Sequence, residues 1–186
     1  MKNTKTTLAI LPLAVLFFSM VALLATAFET PAAPKKLADG EIAKLQPWIG
    51  NWEINSKWAS GQTLWARNEY RIGLGGKFVE ADTYAKDGDG EPYHRYKTIF
   101  TFDESKKKFV SYGFTSDGKV QVVENELQQV DGKVALTSRW AMGKSEVKQT
   151  VKILNDDEYA WNVWMRPVEG DAEWVQSMEG TWKRAE

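Results

Sequence analysis

Charged residues alternate along two neighbouring stretches of this chain, and their spacing is its main chemical content. Arg67, Glu69 and Arg71 share one parity with Thr63 and Trp65, and Glu80 and Asp82 share one with Phe78 and Tyr84. Successive side chains of a β-strand point to opposite faces, so each set would occupy one face. Such a set can form ion pairs, grip a carboxylate through a bidentate arginine, or move protons. Which of these applies depends on the face that points inward. If the charged faces do, the charges must pair or meet water or ligand, because an unpaired buried charge is costly. Arg67 and Glu69 would then contact the polar end of a ligand, with Trp58 and Trp65 as aromatic neighbours. If Leu64, Ala66, Tyr70, Ile72, Val79 and Ala81 point inward instead, the charges are solvated. The residues alone leave both arrangements open.

Other chemistry is sparse. His94 is the only histidine, which excludes a multi-histidine zinc site and leaves a hydrolytic triad only if His94 is its base. No Gly-x-Ser-x-Gly elbow accompanies it. A partly exposed strand position between Tyr93 and Arg95 accounts for it fully. Asp87, Asp89 and Glu91 match the start of a calcium loop, but Thr98 stands where the loop needs a bidentate glutamate. A hairpin tip explains these residues as well. No metal and no cofactor is expected.

The chain has 186 residues, enough for one domain. Its first segment reads as a signal peptide over 1–27. Lys2 and Lys5 precede an apolar run from Leu8 to Leu24, and Ala25-Thr26-Ala27 fits a small-x-small cleavage site. An uncleaved anchor is the alternative, since the run nearly suffices to span a bilayer. Residues 28–36, rich in Pro and Ala, read as a linker, and 37–186 as the domain. Location is expected in the periplasm or outside the cell. Two of the 24 Lys and Arg residues leave with the leader, so 22 remain against 25 Asp and Glu. That balance excludes a basic stripe for nucleic acid. Lys106-Lys107-Lys108 is a hairpin tip. With no Cys, neither a disulfide nor a lipid-modified cysteine is available, and stability must come from the core. Oligomeric state is not encoded in any of these features.

Alternation and turn residues predict ten strands, over 50–58, 63–72, 77–86, 93–102, 108–115, 119–128, 134–140, 146–154, 159–166 and 173–183. Asp-Gly and Gly-rich turns link them locally. A meander of this length curls into an all-β, antiparallel up-and-down barrel. A sandwich would also alternate. Closure pairs the first strand with the last and removes both edges. Gly50, Trp52, Trp182 and Arg184 are placed to close it. Asp39 is expected to cap a short helix over 40–45, ended by Pro47, that lids one end.

Trp48-Ile49-Gly50-Asn51-Trp52, after a short helix, resembles the Gly-x-Trp opening of lipocalins and related calycin barrels. Leu64 to Tyr70, Gly75-Gly76-Lys77-Phe78 and the Trp182-Lys183 ending are similar to the exported bacterial lipocalin-like domains of unknown function. The resemblance covers roughly residues 45–184 and implies a ligand-binding barrel. It also implies that Arg184 or Lys183 packs across Trp52 by a cation–π contact. Two departures stand out: His94 lacks the haem context of the calycin haem barrels, and the disulfides of secreted animal lipocalins are missing.

Three functions remain. The first is a non-enzymatic exported barrel holding a small, largely apolar ligand. The second is an enzyme using inward carboxylates and arginine. The third is a solid barrel acting as an interaction module through outward tryptophans, of which Trp161 or Trp164 must be one. The expected partner is a small hydrophobic ligand, with no nucleic acid and no membrane contact beyond the leader.

Overall fold

The structure, a computed structural model, describes residues 36–86, 88–170 and 172–186. The expected signal peptide, its cleavage site and all of the linker but Lys36 lie outside the described residues, as does Asp87 of the calcium-like run.

Ten strands follow in order: β1 (Gly50–Lys57), β2 (Thr63–Gly73), β3 (Phe78–Ala85), β4 (Tyr93–Asp103), β5 (Lys108–Thr115), β6 (Val120–Val130), β7 (Lys133–Met142), β8 (Ser145–Asn155), β9 (Glu158–Pro167) and β10 (Val175–Ala185). Each pairs antiparallel with the next. The pairs Asn51↔Ala185, Trp52↔Arg184 and Glu53↔Lys183 join β1 to β10 and close the barrel. The sandwich alternative is thereby excluded. Local turn chemistry drives this meander. Asp131 (φ 55°) and Gly132 (φ 73°) form a two-residue hairpin between paired Val130 and Lys133, and both need the left-handed backbone such a turn requires.

Contacts across the barrel identify its inside. The Asn68 side chain on β2 donates to the Tyr159 hydroxyl on β9 at 3.2 Å, although β1 and β10 lie between those strands. Leu64, Ala66, Asn68, Tyr70 and Ile72 therefore point inward. Pairing carries the same face to Val79, Ala81, Thr83 and Ala85 on β3. The apolar alternative is the one realised, and Arg67, Glu69, Arg71, Glu80 and Asp82 lie on the outer surface.

One end is sealed by a 3-10 helix, Glu41–Trp48, whose Ile42, Leu45 and Trp48 are buried. With Leu37 they pack onto Trp52, Val79, Phe109, Leu136, Tyr159 and Trp182. This helix departs from expectation at both ends. Its N-cap is Gly40, with no side-chain cap hydrogen bond, and Asp39 instead lies 3.6 Å from Lys36. Pro47 sits inside the helix rather than ending it. A proline one residue from the end of a short 3-10 segment removes at most one backbone hydrogen bond.

Candidate functional site

At the sealed base, Arg184 lies over the Trp52 ring, 4.2 Å from its centroid. Its guanidinium donates to the Asp156 carbonyl at 2.7 Å, the Ile49 carbonyl at 3.0 Å and the Pro47 carbonyl at 3.4 Å. Trp52 is fully buried and donates its indole N–H to the Trp48 carbonyl at 2.7 Å. Gly50 is needed here twice over. Its φ is 128°, and a Cβ would stand 2.5 Å from the Arg184 guanidinium. Trp182 stacks on Tyr159 with centroids 5.6 Å apart. The base is thus an aromatic stack locked by one arginine. Two surface clefts flank this end. One, of about 560 Å³, lies along the Asn155–Glu158 turn beside Lys183 and Arg184. The other, of about 450 Å³, opens beside Glu41 where the start of β5 diverges from β6.

The opposite end is open. Tyr93 and Tyr96 belong to the inner face by their pairing with Ala85 and Thr83, yet they are 36% and 39% exposed. Thr98, Gly113, Thr115 and Gln121, also inward by register, are half-buried. A Cβ built on Gly113 meets nothing closer than the Gln121 carbonyl oxygen at 3.9 Å. Solvent therefore enters the barrel beneath the lip. Arg95 marks that lip. It occupies the bulge between Tyr93 and Tyr96, donates to the Tyr96 hydroxyl at 2.9 Å and lies over both rings.

Below the lip the walls differ. On one side, Trp58 and Trp161 meet edge to face at 6.1 Å and pack with Met165, Met178 and Val163, in a cluster that reaches Val147 on β8 and Trp140 on β7. On the other, Ser138 donates to Asn125 at 2.6 Å, and Asn125 donates to Ser111 at 3.1 Å. All three are buried. A second relay runs from Thr83 through Asn68 to Tyr70 and Tyr159. Burial pushes the Tyr70 phenol up to about 12, with hydrogen bonds from Tyr159 and Asn68 opposing it. Burial also holds Tyr159 well above the usual range. Among the described residues, the inner face carries no carboxylate, lysine or histidine. Its arginines are Arg95 at the lip and Arg184 at the base.

Of the four residues expected to line a ligand site, the structure places only Trp58 on the inner face. Arg67, Glu69 and Trp65 face outward, because the apolar parity of β2 is the one the core takes up. Arg67 pairs with Glu69 at 2.8 Å. Trp65 donates to Glu53 at 2.9 Å and lies under Lys86. Asp82 is also external but only 7% exposed. Arg71 covers it, with His94 at 2.9 Å and Lys97 at 3.5 Å. A hydrogen bond to Glu80 raises the Lys97 ammonium above its ordinary value. Trp161 faces in and Trp164 out, where Lys148 covers Trp164 and Lys148 and Arg166 cover Trp174. Trp174 precedes β10 rather than lying in a strand.

Sequence reasoning missed Ser111, Asn125 and Ser138. A signal was present: Asn125 shares parity with Val123 and Leu127, and a polar residue inside an apolar parity marks an internal hydrogen bond.

No protein-family model matches the sequence, and no match is found among curated proteins. Solved structures are similar in fold. Rv2717c from M. tuberculosis superposes with a TM-score of 0.58 at 13% identity, over 81% of this chain and 100% of that one. The S-type phycobiliprotein lyase CPES from Guillardia theta gives 0.52 at 10% identity, over 76% of this chain and 90% of that one. These likenesses support a closed antiparallel β-barrel as the fold of this chain.

Proposed function

We propose that the protein is an exported binding protein that holds a small, largely apolar ligand inside the barrel. The observation that carries this reading is the asymmetry of the ends. Inward Tyr93, Tyr96, Thr98, Gly113, Thr115 and Gln121 remain partly open to solvent at one end, while the 3-10 helix and the Arg184–Trp52 stack seal the other. In this reading an apolar body enters from the open mouth and rests against Trp58, Trp140 and Trp161, which cluster over Val147, Val163 and Met178. The likeness to a phycobiliprotein lyase adds fold analogy only. In this reading residues 1–27 are removed on export, 28–36 form a linker, and 37–186 form the binding domain. A catalytic role would need titratable groups converging in the cup. Among the described residues, the inner face offers only tyrosines, Arg95 and Arg184 as titratable groups, which favours binding.

Native mass spectrometry of protein purified from the cell envelope tests both parts. The expected result is a mature mass starting at Phe28 and a stoichiometric small molecule released on denaturation. Full-length protein confined to the cytosol would overturn export. An empty protein that also binds no hydrophobic fluorophore would overturn the binding role.

A further inference from the structure

We propose that the ligand enters the barrel as an uncharged molecule carrying hydroxyl, carbonyl or amide groups, and that Ser111, held in place by Asn125, reads those groups. The inference rests on the binding role of the cup and specifies what it holds. Its first support is the composition of the inner face. The outer surface of β2 to β4 alone holds Arg67, Glu69, Arg71, Glu80, Asp82, His94 and Lys97. The inner face between lip and base holds no ionised side chain among the described residues. A carboxylate, phosphate or ammonium taken to the depth of Ser111 would find no counter-charge there, and desolvating it unpaired is strongly unfavourable. Arg95 at the lip is already engaged with the Tyr96 hydroxyl and the Tyr93 and Tyr96 rings.

The second support is the direction of the Ser138–Asn125–Ser111 relay. Ser138 donates to the Asn125 carbonyl oxygen, and the Asn125 amide donates to Ser111 and to the Val123 carbonyl. Both amide protons are thus used. Ser111 ends the relay as an acceptor and retains its own hydroxyl proton for a further partner. It is 7% exposed and lies on the inner face of β5, two residues from Gly113 and the space above it. A buried hydroxyl with an unused proton suits a neutral acceptor such as a carbonyl or hydroxyl oxygen. Trp58 just after β1 and Trp161 on β9 offer flat apolar surface across from Ser111, and Trp140 lies beside Ser138 on β7. Together they fit an aromatic or alicyclic body with an oxygen function on one edge.

The test uses two fluorophores of one skeleton and similar size, dansylamide and the dansyl sulfonate anion. Each is titrated into the purified protein and followed by energy transfer from tryptophan. The neutral amide is expected to bind at least tenfold more tightly. Gly113→Phe, which fills the space over Ser111, should weaken it at least tenfold, and Ser111→Ala should weaken it severalfold with no loss of fold by circular dichroism. Equal or tighter binding of the sulfonate would overturn the neutral-ligand assignment. If Arg95→Gln abolished that binding, Arg95 would be the anchor instead and the binding role would stand. Failure of both fluorophores, or indifference of both to Gly113→Phe, would overturn the interior site itself and the assignment with it.

Discussion

Arg184 gathers carbonyl oxygens from two distant parts of the chain, Pro47 and Ile49 just before β1 and Asp156 in the turn between β8 and β9, while covering Trp52. Its planar fork can reach all of them at once, whereas an ammonium cannot. A cation–π contact contributes about 1 kcal/mol and each charge-assisted hydrogen bond a comparable amount. Arg184→Ala is therefore expected to destabilise the protein by about 3 kcal/mol in urea unfolding. Arg184→Lys should recover less than half of that loss. Full recovery by lysine would show that charge, not fork geometry, holds the base. Single outer charges contrast with this. Lys44 pairs with Glu41 at 2.7 Å on an exposed helix face, and such a pair contributes little.

At the scale of elements, the 3-10 helix acts through its buried face. Leu45 is 3% exposed beneath Trp48 and the barrel base. Leu45→Ala should cost about 2–4 kcal/mol by transfer and cavity formation, while Lys44→Ala should change stability by less than about 0.5 kcal/mol. Similar midpoints for the two variants in urea would show that the helix is not part of the cooperative core. The strands were legible because alternation and Asp-Gly turns are local. Val130-Asp131-Gly132-Lys133 specifies its hairpin without reference to anything distant. The inward face was not legible on β2. Trp65 lies in the charged parity and Asn68 in the apolar one, so local hydrophobicity hardly separates the faces. Only a partner across the barrel, Tyr159 for Asn68, decides it. The candidate site was obscured for the same reason. Charges are conspicuous at Arg67 and Glu69, whereas the interior polar groups are ordinary Ser, Thr and Asn residues scattered over many strands.

The Asn68–Tyr70–Tyr159 network joins β2 to β9 through the middle of the barrel, so its titration reports on the molecule as a whole. Tyr70 is raised to about 12 and Tyr159 well above 10, in both cases chiefly by burial. Tyrosine in the unfolded chain ionises near pH 10. Between pH 10 and about 12 the unfolded chain has lost these protons and the folded chain has kept them, so stability falls as pH rises through that window. Below pH 10 both states are protonated and the native state keeps the full contribution. Tyr70 alone accounts for roughly 3 kcal/mol across the window, at ~1.4 kcal/mol per pH unit. An alkaline titration should therefore show two of the six tyrosines ionising only as near-UV circular dichroism is lost. Tyr70→Phe combined with Tyr159→Phe should remove that late step from the 295 nm absorbance and shift the alkaline midpoint upward at matched starting stability. Complete tyrosinate formation near pH 10 with the near-UV signal intact would mean that water already reaches the middle of the barrel. The solvated cup would then extend down to the aromatic base rather than stopping above it.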